Sequence, residues 1–255
     1  MFHFLRLSQA APARRNRADL FLGLVTAVLA IASAASANAQ FGAPSPGTQV
    51  HDTSALHPPA GARVAIVEFA DMECPACAAA NPIVKSAVAQ YKIPWIRHDF
   101  LIPNHIWSPT AAVNARWFDS KSKALGDEYR DEVFANQSSI YNVDVLRQFT
   151  EKFAKEHGIA LPFSMDPQGK LADAIKADGE LGRRTGITQT PTIFIVTSNS
   201  KGAPFIEVVD RGKLFQLIDQ ALADTASATK TAPVKKTAVT TTLAKKTPAK
   251  TPAAQ

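Results

Sequence analysis

Cys74 and Cys77 are the only cysteines in a chain of 255 residues, and both fall within EFADMECPACAAANP, residues 68–82. Paired cysteines can serve as a structural staple, as part of a metal site, or as a reactive dithiol. A disulfide here would close a very small loop, and the chain entropy it removes is worth roughly 2 kcal/mol or less. A staple joining distant segments would do more. Structural zinc takes a full set of Cys and His ligands. The candidate histidine ligands, His51, His57, His98 and His105 among the chain's six histidines, form neither a second Cys-x-x-Cys nor a close His pair.

The third reading follows from position. An apolar run ends at Ala70 and a helical pattern begins at Pro75, so Cys74 falls at a helix N-terminus. Unpaired backbone N–H groups and the helix dipole favour a thiolate there. A lowered thiol pKa makes Cys74 the attacking nucleophile. Cys77 lies on the same side of the helix at i+3 and can resolve a mixed disulfide. Pro75 at the first helical position forfeits no hydrogen bond.

Two further groups belong to this chemistry. Glu68 sits inside an apolar strand that leads straight into the cysteine turn, where burial would raise its pKa and let it take the proton Cys77 must lose. Pro191, in GITQTPTIFIV (186–196), stands just before a strand and marks its first residue or a cis bond.

The elements that must position these residues are legible from periodicity. VAIVEFA (64–70) is apolar on both parities, as expected of a strand covered on both faces. A helix from Pro75 to about Tyr91 and a second strand, WIRHDFLI (95–102), complete a βαβ unit. From Ser108 to about Thr185 the pattern is helical. Ser108-Pro109 and Asp166-Pro167 read as N-caps followed by proline. Val145, Leu146, Phe149 and Phe153 form an apolar stripe that Gly158 ends. TIFIV (192–196), a turn around Asn199 to Gly202 and FIEVVD (205–210) read as a hairpin. LFQLIDQAL (214–222) is a closing amphipathic helix. The class is α/β: a thioredoxin fold with a helical insertion, about 108–185, between the βαβ half and the ββα half.

The ends of the chain bear on location. Arg6, Arg14, Arg15 and Arg17 precede an uncharged stretch from Leu20 to Ala37, then Ala37-Asn38-Ala39. That order reads as a signal peptide, residues 1–39, with the periplasm as destination. The alternative is an uncleaved anchor on the periplasmic side of the inner membrane. Residues 40–60, rich in Pro, Gly, Ser and Ala, read as a flexible linker. Residues 61–223 form the folded domain.

The whole chain carries 28 Lys and Arg against 22 Asp and Glu, a net charge of +6. Residues 224–255 contribute Lys230, Lys235, Lys236, Lys245, Lys246 and Lys250, with no acid after Asp224 and no aromatic residue. Such a tail is expected to be disordered. It suits weak contact with anionic surfaces. Nucleic acid is not an expected partner, because export removes the chain from the cytoplasm and the tail lacks aromatic residues to stack bases.

EFADMECPAC, the helical insertion and GITQTPT before a strand together resemble the DsbA-like thiol–disulfide oxidoreductases of the bacterial envelope, over residues 63 to about 223. The resemblance implies that Cys74 is the exposed nucleophile, Cys77 the buried resolving thiol of a redox-active disulfide, and Glu68 the buried acid. It implies that Pro191 is a cis-proline facing the disulfide and that Thr190 lends backbone atoms to an extended substrate. No metal or cofactor is implied. The partners would be protein or peptide thiols and disulfides, with an unidentified envelope redox partner that recycles the Cys74–Cys77 pair. Strongly oxidising members carry His where this chain has Ala76, which implies a less acidic Cys74 here. The direction of electron flow is therefore open, with the oxidising compartment favouring oxidation. The competing reading is a peptide-binding or chaperone-like module on the same fold without redox turnover.

Overall fold

The computed structural model describes residues 47–198 and 204–230. Its central sheet has the order β2-β1-β3-β4. β1 (Val64–Ala70) pairs in parallel with β2 (Trp95–Asp99), across α1 (Pro75–Tyr91), and antiparallel with β3 (Thr192–Thr197). β4 (Phe205–Glu207) closes the second edge against β3. α2 (Ser108–Asp119), α3 (Lys123–Ala135), α4 (Val143–Glu156) and α5 (Lys170–Thr185) form the insertion, and α6 (Leu214–Lys230) follows β4. The expected class and element order are observed.

Alternation along β1 sorts its side chains between two cores. Val64 and Ile66 join Ile193 and Ile195 beneath Ala80, Val84 and Ala87 of α1 and Leu214, Ile218 and Ala221 of α6. Ala65, Val67 and Phe69 pack on the opposite face with Phe194, Val196, Phe100 and Ile187. Glu68 shares the parity of Val64 and Ile66, so it points to the face that α1 covers. A third core belongs to the insertion: Trp107, Phe118, Tyr129, Leu146 and Phe153 are buried together. Burying each such side chain is worth about 1.5–3 kcal/mol relative to exposure.

Glycines on α5 set how it meets its neighbours. A Cβ on Gly182 would lie 2.4 Å from Phe100 Cδ2 and 3.2 Å from Phe69 Cδ1, so this glycine permits the helix to close on the sheet. Gly186 ends the helix at φ +100°, where a Cβ would strike the Gln49 carbonyl oxygen.

Several expected boundaries shift. From Gly47 onward, the segment expected as a flexible linker is bound to the domain. Thr48 donates its N–H and hydroxyl to the Glu207 carboxylate, the N–H of His51 donates to the Thr185 carbonyl at 3.1 Å, and Leu56 is buried among Val67 and Phe194. α6 runs to Lys230, into the segment expected to be disordered. Ala221, Ala223 and Ala226 favour helix, and the Thr225 hydroxyl is satisfied by the Ala221 carbonyl. The second hairpin strand ends at Glu207 rather than Asp210, because Asp210 caps a short 3-10 turn at Arg211–Lys213. The expected signal peptide, most of the hairpin turn and the tail beyond Lys230 lie outside the described residues.

Gly182→Ala should destabilise the protein by about 1–3 kcal/mol, since the phenyl rings of Phe100 and Phe69 must move to admit the methyl group. Denaturant unfolding monitored by far-UV circular dichroism measures this; unchanged stability would refute the close approach.

Candidate active site

Cys74 is the N-cap of α1, with extended φ −80° and ψ 118°, and Pro75 occupies the first helical turn. Both cysteines are free thiols. Cys77, one turn into the helix, is 1% exposed and accepts a hydrogen bond from the Asp71 N–H at 3.5 Å. Cys74 is 9% exposed, more covered than a free nucleophile is expected to be. The cover is the loop before β3. The Cys74 thiol donates to the Thr190 carbonyl at 3.4 Å, and the Thr190–Pro191 peptide bond is cis. The strand-to-helix turn and the proline loop therefore meet at one sulfur atom.

This arrangement splits the two acidities. The neighbouring Cys77 thiol stabilises the Cys74 thiolate most, opposed by burial. The Thr190 side chain and the backbone N–H groups of Cys77 and Ala76 add smaller contributions, and the Cys74 pKa falls to about 5. Burial pushes Cys77 strongly upward, reinforced by the Cys74 sulfur that would share its charge. The absence of His at position 76 is offset by a thiol and by backbone donors. The Thr190 hydroxyl is itself buried and has no other hydrogen-bond partner.

Glu68 is buried as expected, and burial raises its pKa despite Arg97 and a hydrogen bond from Trp95 Nε1 at 2.9 Å. Arg97 stands opposite Glu68 in the parallel register and stacks over the Trp95 ring at 3.4 Å. The charge of Glu68 also contributes, as the smallest of the causes, to raising Cys77.

Sequence reasoning missed the braces of the cysteine turn. Gln137, in the 3-10 turn after α3, donates Nε2 to the carbonyls of Met72 (2.8 Å) and Cys74 (3.0 Å). Glu73 accepts the N–H groups of Trp107 and Ser108 at 2.7 and 2.9 Å, capping α2 from the cysteine turn. Ser108, expected as the N-cap of α2, lies inside the helix after Trp107 and donates its hydroxyl to Asp71 at 2.5 Å. Asp71 also accepts from Glu73 N–H and Ile102 N–H, with His105 Nδ1 at 2.9 Å. Only an acidic residue at 71 and at 73 beside the cysteines could have hinted at this. His98 likewise faces a carboxylate, Asp178, at 2.9 Å. Among the described residues no group of three or more His, Cys, Asp and Glu side chains is placed to hold a metal ion.

The fold and the Cys-x-x-Cys helix terminus facing a cis-proline define a thioredoxin-fold dithiol protein. The thioredoxin family's sequence profile matches residues 59–220, and the chain belongs to that family. A curated relative, the Na(+)/H(+) antiporter NhaA 3 of Salinispora tropica, is 27% identical over 161 residues, 62% of this chain. The chain spans about a quarter of that protein's length, the match covering 24% of it. Among solved structures, alpha-DsbA1 from Wolbachia pipientis superposes with a TM-score of 0.55 at 16% identity, covering 69% of this chain and 94% of that one. The thiol-disulfide exchange protein alpha-DsbA2 from the same organism gives 0.51 at 20% identity, covering 64% and 84%. At these identities the structures show a shared fold.

The lowered Cys74 pKa makes a sign-definite prediction about stability. Its folded pKa lies below the ordinary thiol value of 9.0, so the thiolate stabilises the reduced fold. That contribution is complete above the unfolded pKa and is lost as pH falls through about 5. The disulfide form has no such group, and the raised Cys77 stays protonated throughout this window. The stability of the reduced protein relative to the oxidised one should therefore fall between about pH 9 and about pH 5 in parallel denaturant unfolding. A difference independent of pH would contradict the assignment.

Proposed function

We propose that this protein is an exported thiol–disulfide oxidoreductase that exchanges disulfides with cysteines of other envelope or secreted proteins through a mixed disulfide on Cys74. The observation that carries the reading is the opposite displacement of two adjacent thiol acidities at a helix N-terminus facing the Thr190–Pro191 loop. Support for export comes from the N-terminal order of arginines, apolar stretch and Ala37-Asn38-Ala39. Among the described residues no helix is long and apolar enough to cross a membrane.

Disulfide donation begins from the oxidised protein. A substrate thiolate attacks Cys74 Sγ, forming the mixed disulfide and breaking the Cys74–Cys77 bond. Cys77 leaves as a thiolate and takes up a proton, which its raised pKa favours. A second substrate thiolate attacks the substrate sulfur of the mixed disulfide and expels Cys74. The substrate is oxidised to a disulfide, and the protein is left as a dithiol with two electrons to pass to a recycling oxidant. Run in reverse, the Cys74 thiolate attacks a substrate disulfide, and Cys77 must lose its proton before closing the ring.

The stabilised Cys74 thiolate is a good leaving group and favours the reduced form, so oxidation of substrates is the supported direction. Thr190 and Pro191 form the wall against which an extended substrate lies. The Thr190 carbonyl that now accepts from Cys74 is freed when that thiol is consumed. Glu68 exchanges a proton with Cys77 from beneath α1, which explains an acid kept on a buried strand.

Single-turnover reaction of the reduced protein with a disulfide-containing peptide, in which Cys74 attacks one peptide sulfur and the other leaves as a thiol, tests these roles. Cys77→Ser should accumulate the mixed disulfide, and Cys74→Ser should form none. Glu68→Gln should slow resolution by about tenfold, less than the roughly 10²–10⁴-fold of a contacting general acid or base. A mixed disulfide formed by Cys74→Ser, or unchanged resolution in Glu68→Gln, would refute the corresponding role.

A further inference from the structure

A cavity of about 270 Å³ lies between α2, α5 and the segment that follows β2, and none of Cys74, Cys77, Thr190 or Pro191 lines it. Its apolar wall includes Phe100, Leu101, Pro109, Val113 and Ile175, and two cations of α5, Lys176 and Arg183, also line it. Those cations stand seven positions apart on one helix, two turns along the same face. Among the described residues neither makes an ion pair, while the nearby Asp178 is already committed to His98 and Arg116. An apolar chamber with unpaired positive charge in its lining matches a ligand with an apolar body and an anionic head.

A second observation concerns Gly179, which also lines this cavity. It sits in the middle of α5, where glycine weakens a helix. Nothing in the fold demands it. Its φ is not positive, and an added Cβ would meet only Arg183 Nη1, at the ordinary contact distance of 3.5 Å. Gly182 on the same helix is different, because Phe100 fills the space beside it. The missing side chain at 179 leaves the cavity open beside Arg183.

We propose that this cavity is a binding site for a small amphipathic anion, a medium-chain carboxylate, whose apolar chain lies against Phe100, Val113 and Ile175 and whose head pairs with Lys176 and Arg183. The volume sits between the about 150 Å³ that holds benzene and the about 300 Å³ at which drug-sized pockets begin, so the ligand is a short chain rather than a whole lipid. The charged ends of Lys176 and Arg183 reach water while their stems extend the apolar wall.

The test titrates the full chain with decanoate below its micellar concentration, followed by amide NMR shifts and calorimetry. Saturable shifts at Leu101, Val113 and Gly179 are expected, with affinity rising along the series hexanoate, octanoate, decanoate by up to about fourfold per methylene. Decyltrimethylammonium should bind at least about tenfold more weakly than decanoate, and acetate should give no saturable shift. Gly179→Leu fills the cavity and improves helix propensity, and should abolish binding. Lys176→Glu with Arg183→Glu reverses the charge that faces the head while leaving Phe100, Val113 and Ile175 in place, and should abolish binding. The proposal is overturned if decanoate causes no saturable shifts at these residues. It is also overturned if the charge-reversed variant binds decanoate as the parent does, if the alkylammonium binds equally well, or if a folded Gly179→Leu retains affinity.

Discussion

The structure turns on one sulfur atom held between a helix N-terminus and a proline loop. Cys74 Sγ has the start of α1 on one side and the Thr190 carbonyl on the other, and Cys77 lies one turn away. Donors outweigh the loss of water only at the first of the two sulfurs; at Cys77 burial outweighs the single Asp71 N–H. The pair therefore divides into a thiol held near pKa 5 and a thiol pushed well above the ordinary value. In the proposed mechanism this division separates an attacking thiol from a resolving one without a charged side chain inside the motif. It also requires the turn bearing Cys74 and the loop bearing Thr190 to be held in register by the parts behind them.

That register comes from both halves of the molecule. β1 and β3 are antiparallel neighbours in the middle of the sheet, so the end of β1 and the start of β3 fall together, with Phe69 opposite Thr192. The insertion supplies the rest. Gln137 grips two carbonyls of the cysteine turn, and Glu73 and Asp71 reach into the start of α2. These carboxylates and amides satisfy backbone groups that would otherwise be buried without partners. The insertion is thus tied to the reactive turn itself, and its aromatic core of Phe118, Tyr129 and Phe153 gives those ties a rigid base.

The sequence made the frame legible because its signals are local or strictly periodic. VAIVEFA and TIFIV are apolar on both parities, and both strands are covered on both faces. The burial of Glu68 followed from its place in such a strand. The cis assignment of Pro191, which spacing left open beside a strand's first residue, came through resemblance. What was not legible is long-range. Ser-Pro at 108–109 looks like a self-contained cap, yet the group that caps α2 arrives from Glu73, 35 positions earlier. Gln137 reaches back 63 positions to Cys74, and no pattern around it announces this. The Pro- and Gly-rich composition before the domain suggested freedom, but backbone hydrogen bonds and the buried Ala55 and Leu56 side chains suffice to fix residues 47–56 to the fold.

The central claim is that the fold selectively stabilises the Cys74 thiolate. Thiolate absorbance near 240 nm, titrated in the reduced protein with Cys74→Ser as the reference, measures it directly. The account predicts a single Cys74-dependent step with its midpoint at about 5, and no comparable step from Cys77 through neutral pH. A Cys74 midpoint near the ordinary thiol value of 9.0 would contradict it.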